Sequence, residues 1–264
     1  MTDDIVRVTH ADDGITTVTL NRPAIHNAFD DTLIRALTHT LRELDGNPAT
    51  RVVVLTGAGK SFSAGADLNW MRRMAGYSEA ENLDDARELA GLLWTLHRLG
   101  KPTVARVQGA AFGGGVGLVA ACDLAIASTA ASFALTEVKL GIIPAVISPY
   151  VVAAIGERQA RRYCLSAERF EAAEAHRIGL VHEVVAVEAL DARIAALGRQ
   201  LLVNGPAALA ACKDLIGAVS RGPLDDSMVE DTARRIARVR ASAEGQEGLS
   251  AFLDKRRPRW HPEG

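Results

Sequence analysis

The chain predicts an α/β protein with largely parallel strands, and three observations lead there. Short apolar runs rich in β-branched residues alternate with longer stretches of helical periodicity through about the first 190 residues. Three consecutive glycines, Gly113-Gly114-Gly115, stand where one of those apolar runs gives way to a helical one. Beyond that first region the strand-like runs stop, and only helical periodicity continues to the C-terminus.

Taken in order, Ile15–Leu20 reads as a strand that Asn21-Arg22-Pro23 ends. A helix follows from Asp31, with Leu33, Leu37, Leu41 and Leu44 on one stripe. Arg51–Thr56 is a short, buried strand closed by Gly57-Ala58-Gly59, and a helix over 82–99 leads to the strand Thr103–Val107. The triple glycine then opens a helix near Val116, and Asp123–Ala127 is the next strand. Helices are expected over 191–203, 206–219, 227–239 and 244–252. The chain thus divides into a core, 1–190, that carries the chemistry, and a helical region, 191–264, suited to packing against another subunit.

Composition narrows the function classes. The 264 residues are 48% hydrophobic with a net charge of −2, enough for a sizeable core and no sign of a nucleic-acid partner. No apolar stretch reaches the length of a membrane span. The acidic opening Met1-Thr-Asp-Asp-Ile5 lacks a secretory pattern. Cys122, Cys164 and Cys212 are widely spaced and odd in number, so the expectation is buried free thiols in a cytoplasmic protein. No His/Cys cluster, Walker lysine or well-aligned dinucleotide fingerprint is present, so no metal or redox cofactor is expected.

Two small-residue loops carry the chemistry. Around Gly113–Gly115 the backbone is stripped of side chains, and the following helix aims its positive end at whatever binds there. Upstream, Phe62-Ser-Ala-Gly-Ala-Asp-Leu68 also follows a strand, and Gly65 lets Ala66 turn its N–H outward. Two such N–H groups converging on one oxygen form an oxyanion hole; read alone, each loop is equally an ordinary Gly/Ala turn.

In this order and spacing the motifs resemble the crotonase, or enoyl-CoA hydratase/isomerase, family over nearly the whole chain. The resemblance rests on Leu20-Asn-Arg-Pro23 with Asn27-Ala28, Phe62–Leu68, Gly109–Gly115, Ala121–Ile126, Phe133–Pro144 and Glu247–Arg256. It implies a superhelix of ββα units followed by helices, assembled as a homotrimer or a hexamer built as a dimer of trimers. It further implies an acyl-CoA substrate whose thioester oxygen lies between the N–H groups of Ala66 and Gly114; coenzyme A is then part of the substrate. Arg22, Ala24, His26, Ser63, Ala64, Asp67 and Leu68 match the CoA-binding segments, although the basic residues common in the family at Ala24 and Asn69 are missing here. Phe252 and Lys255 match positions that reach the CoA of a neighbouring subunit, and Lys255 also reads as a solvated helix residue. Asp67 also reads as a helix cap. His26 and His97 reach the site only if the fold brings them there.

Hydratases of this family usually carry two glutamates; here the first position is Gly117 and the second is Glu137. Glu137 lies in an apolar stretch that would raise its pKa toward that of a working acid/base. Hydration of an enoyl-CoA with Glu137 as acid/base is one reading. A Δ3,Δ2-enoyl-CoA isomerase, which needs a single base, is another, and a non-catalytic acyl-CoA binding subunit a third. The runs Asp67–Met71, Trp94–Arg98 and Pro144–Tyr150 with Ala154–Arg158 resemble a subgroup acting on branched, methylglutaconyl-type substrates. The second carboxylate of such a substrate would meet Arg72, Arg73, Lys139 or Tyr150, and Arg72-Arg73 also reads as a solvated helix end.

Overall fold

A computed structural model describes residues 4–220 and 222–262. The chain opens with an antiparallel pair, β1 (Val6–His10) and β2 (Ile15–Leu20), and the helix α1 (Asp31–Gly46). Asp30 caps α1 by accepting from the Leu33 N–H, and Leu33, Ile34, Leu37, Leu41 and Leu44 form its buried stripe. Next come β3 (Val52–Gly57), β4 (Ser61–Ser63), α2 (Leu68–Met74) and α3 (Glu79–Arg98), the last begun by a reciprocal Ser78/Glu81 capping box. A second unit contains β5 (Thr103–Val107), β6 (Ala110–Phe112) and α4 (Gly114–Ala121). A third contains β7 (Leu124–Ser128), β8 (Ser132–Ala134) and α5 (Ser148–Ser166), which is kinked where Gly156 leaves helical geometry. Then follow β9 (Phe170–Glu171), α6 (Ala172–Arg177), β10 (Glu183–Val185) and the helices α7 (Leu190–Leu202), α8 (Pro206–Val219), α9 (Asp226–Ala241) and α10 (Ala243–Leu253).

Each unit sends its first strand to one sheet and its second to another, which is the ββα repeat expected from the family resemblance. The larger sheet has the order β1-β2-β3-β5-β7-β10 and the smaller β4-β6-β8-β9. Pairing is parallel except at β1/β2 and β8/β9. All six residues of β3 are buried, as in parallel strands covered on both faces. One face packs against α1, α3, α4 and the smaller sheet through residues such as Leu37, Leu55, Leu93 and Phe133. The other is covered by α7, whose Leu190, Ile194 and Leu202 meet Val52, Val54, Val104 and Ile126. By its packing α7 therefore belongs with the core.

The later helices are held at their edges. Lys213 of α8 pairs with Asp123 at 2.7 Å and donates to the Lys101 carbonyl, while Arg51 donates to the carbonyls of Leu202, Asn204 and Trp260. Neither α8 nor α9 has a buried residue. The cysteines differ from the expectation: all are free, but Cys122 alone is buried, Cys164 is half-buried and Cys212 exposed, because the last lies on α8 away from the core. No described helix is by itself long and apolar enough to cross a membrane.

Candidate active site

The site is built at one end of the smaller sheet. β4, β6 and β8 run parallel and nearly in register, Ser63 pairing with Ala111 and Phe112 with Ala134. The segments that leave their C-terminal ends, 64–67, 113–115 and 135–137, therefore emerge side by side. They hold Ala66, Gly114 and Glu137, which lie far apart in sequence.

The first loop is fixed by a short parallel bridge between Phe29 and Ala66. Phe29 N–H donates to the Gly65 carbonyl at 2.6 Å, and Asp67 N–H donates to the Phe29 carbonyl at 2.7 Å. Because strand groups alternate in direction, these bonds turn the Ala66 N–H away from Phe29. Gly65 has φ +88°, a conformation that glycine adopts without strain. Asp67 caps α2 by accepting from the N–H groups of Asn69 and Trp70, so its carboxylate is engaged locally.

The second loop turns at Gly113, with φ +50° and ψ −118°. Its N–H is bonded to the Ala134 carbonyl at 2.9 Å. Gly114 begins α4, so its N–H is one of the first-turn donors that a helix leaves without an internal acceptor. The two loops touch: a Cβ on Gly65 would lie 3.3 Å from the Phe112 carbonyl oxygen, and one on Gly115 only 2.5 Å from that of Ser63. No side chain fits between them.

Glu137 completes the arrangement. A Cβ on Gly113 would stand 3.1 Å from Glu137 Oε1, which places the carboxyl against the turn that precedes Gly114. Its Oε2 is buried and has no hydrogen-bond partner. Burial pushes this carboxyl above its ordinary value of 4.5, with a smaller opposing effect from a backbone hydrogen bond. A desolvated carboxyl with one oxygen unused is a candidate proton carrier.

The remaining site residues lie around this centre in different ways. Arg22 is committed to Asp30 at 2.7 Å, so its guanidinium ties the segment before α1 to the helix cap. Ala24 is exposed in a single 3-10 turn, Pro23–Ile25. His26 follows with φ +55°, its ring bonded to Ser61 Oγ at 3.0 Å, beside the first loop and not at Glu137. Ser63 is fully buried and donates to the Asn27 carbonyl; Ala64 donates its N–H to the His26 carbonyl; Leu68 is 69% exposed at the start of α2. Phe252 and Lys255 lie exposed at the end of α10. His97 packs edge-on against Tyr150, joining α3 to α5. Arg73 pairs with Asp31, Arg72 donates to Asn69, and Lys139 is exposed.

Two residues outside the expected set shape the site. Asn27 is completely buried with φ +55°, and its amide donates to the carbonyls of Ala58, Ser61 and Phe62 while its Oδ1 accepts from Arg22 N–H. One side chain thus joins the segment after β2 to β4 and its loop. Asparagine tolerates the left-handed conformation better than most residues, which is the signal the sequence offered. The other is Ile147, which fills the space above Gly117.

Two glycine-bearing loops and one desolvated carboxyl thus meet at the strand ends of a ββα spiral. The family model for enoyl-CoA hydratase/isomerase matches residues 10–263, and the chain belongs to this family, the crotonases. A crystal structure of an enoyl-CoA hydratase from Shewanella pealeana is 45% identical, with coverage of 98% of this chain and 97% of that one and a TM-score of 0.95. Among curated relatives, hydroxycinnamoyl-CoA hydratase-lyase of Pseudomonas fluorescens is 38% identical over 76% of this chain and 74% of its own. The 2,3-dehydroadipyl-CoA hydratase of Escherichia coli is 34% identical over 91% of this chain and 92% of its own.

Proposed function

We propose that this protein is an acyl-CoA hydratase that adds water across the 2,3 double bond of an enoyl-CoA. The thioester oxygen is held by the N–H groups of Ala66 and Gly114, so that negative charge gathered there in the transition state meets donors already in position. One such donor is typically worth about 2.7–4 kcal/mol of transition-state stabilisation. Glu137 takes a proton from the attacking water, whose oxygen bonds to the β-carbon, and the α-carbon receives a proton from the same carboxyl. The Glu137 carboxyl, with Oε1 against Gly113 and Oε2 buried without a partner, is the observation that carries this reading. No metal or redox group is called for.

The Arg22–His26 and Ser63–Leu68 segments would receive the CoA moiety mainly through backbone and small side chains, since Arg22 is paired internally. Phe252 and Lys255 would serve the site of a neighbouring copy in a homotrimer or hexamer. A branched substrate of the methylglutaconyl type remains the finer form of the proposal. Its distal carboxylate would be met by Arg72, Arg73, Lys139 or Tyr150, of which Arg72 donates to Asn69 and Arg73 pairs with Asp31.

The competing reading, a Δ3,Δ2-enoyl-CoA isomerase, draws on one observation: Ile147 occupies the space at Gly117, so Glu137 stands without a second carboxylate there. Replacing Glu137 by Gln separates the carboxyl's role from its shape. With crotonyl-CoA and methylglutaconyl-CoA, turnover by E137Q should fall by about 10²–10⁴-fold. Near-native turnover would remove Glu137 from the mechanism. A wild-type protein that converts a 3-enoyl-CoA but hydrates neither substrate would favour the isomerase.

A further inference from the structure

Gly117 and Ile147 meet as notch and knob. Gly117 donates its N–H to the Gly113 carbonyl at 3.2 Å, so one helical turn separates the two glycines. The Glu137 carboxyl stands against Gly113. One turn further on the neighbour is hydrocarbon: a Cβ on Gly117 would lie 2.3 Å from Ile147 Cγ2 and 2.8 Å from Ile147 Cβ, with Leu93 Cδ2 at 3.7 Å. The obstruction includes the Ile147 Cβ itself, which is fixed to the backbone just before α5 and cannot swing aside. Ile147 is 3% exposed, and branching at Cβ restricts its rotamer. One turn of α4 beyond the Glu137 carboxyl the packing is therefore closed, apolar and stiff.

We propose that Ile147 is a specificity-determining residue: seated on Gly117, it closes the α4 side of the acyl site and limits how far an acyl chain extends past Glu137. The inference rests on the reading of Ala66, Gly114 and Glu137 given above. A thioester held at Gly114 with its α-carbon beside Glu137 directs the next carbons along the Gly113–Gly117 side, where they meet the Ile147 methyl. Short acyl groups fit above it. Longer straight chains fit only if that volume is removed.

The test compares kcat/KM of the full-length wild type and its variants for crotonyl-CoA and trans-2-octenoyl-CoA. Truncation in I147A vacates three carbon positions. Each methylene that a substrate buries there strengthens its binding by roughly fourfold, so the octenoyl/crotonyl ratio should rise by about tenfold or more. I147V should move the ratio the same way by a smaller factor, and it carries the test if I147A fails to fold. G117A should depress activity on crotonyl-CoA, and I147A in the same chain should restore it, because the clash lies between these two side chains.

Equal losses on both substrates with an unchanged ratio in I147A and I147V would overturn the proposal, as would a fully active G117A. Failure of the parent reading looks different: E137Q then keeps wild-type turnover, or the wild type converts no enoyl-CoA. In that case the same ratio is read from calorimetric Kd values for the two thioesters, and an unchanged ratio again overturns the role of Ile147.

Discussion

Glu137 sits at a cost to the fold, and that cost can be measured apart from activity. Its carboxyl is raised above 4.5 chiefly by burial, so the folded state binds the proton more tightly than the unfolded state does. The sign follows from linkage: a raised folded value adds stability that is fully present below the unfolded value and is lost as pH rises through the folded one. Above that folded value the wild type therefore carries a half-buried charge that Gln would not. Thermal unfolding followed against pH should show E137Q melting above wild type at high pH, with the gap shrinking as pH falls through the raised folded value and closed below about pH 4.5. A gap that is constant across pH, or reversed in sign, would contradict the burial argument.

At this same scale the sequence was informative where chemistry leaves a mark on residue type. Glycines that must pass close to another backbone and a carboxyl within an apolar stretch are visible in one dimension. Asn27 was visible only as part of a motif, because its four hydrogen bonds reach across 31 to 35 residues in one direction and five in the other. Ile147 left no mark: it looks like any core residue, and its meaning depends on a helix thirty positions away.

Among the elements, long and periodic ones were legible and short ones were not. The stripe of α1 and the helices α7 to α10 lie within a few residues of their expected positions. The strands β4, β6 and β8 are three residues each and are composed of Ser, Ala and Phe, too short for any alternation to show. They nevertheless carry all three site segments. The helix α5 was also missed, since Gly156 interrupts it and Pro149 lies in its first turn.

The helices α8 to α10 present their apolar residues outward. Ile216, Val229, Ile236, Leu249 and Phe252 are all exposed, Phe252 to 81%. Exposed apolar side chains on three successive helices would suit the association surface of the proposed trimer or hexamer. Multi-angle light scattering should find a trimer or hexamer, and glutamate at both Val229 and Ile236 of α9 should shift it toward monomer. A wild type that is monomeric at micromolar concentration would contradict this assembly.

Over the whole molecule, the ββα repeat explains why a catalytic arrangement can be assembled from distant residues. Each unit advances one strand along both sheets, so consecutive loops of the smaller sheet come to lie beside one another without any local sequence relation. The larger sheet packs into the buried core, and the smaller one positions the segments that hold Ala66, Gly114 and Glu137. The family resemblance carried the superhelix into view at once, whereas the residues alone gave only an α/β protein with parallel strands. What neither revealed is the seating of Ile147 on Gly117, a property of packing between α4 and the segment leading into α5.

In the mechanism proposed above, hydration and isomerisation share one elementary event, proton transfer at the α-carbon of a thioester held by Ala66 and Gly114. The exchange of α-hydrogen of butyryl-CoA into heavy water, followed by NMR, isolates that event from the fate of the double bond. The wild type should catalyse the exchange, and E137Q should slow it by at least about 10²-fold. Exchange at an unchanged rate in E137Q would contradict the account.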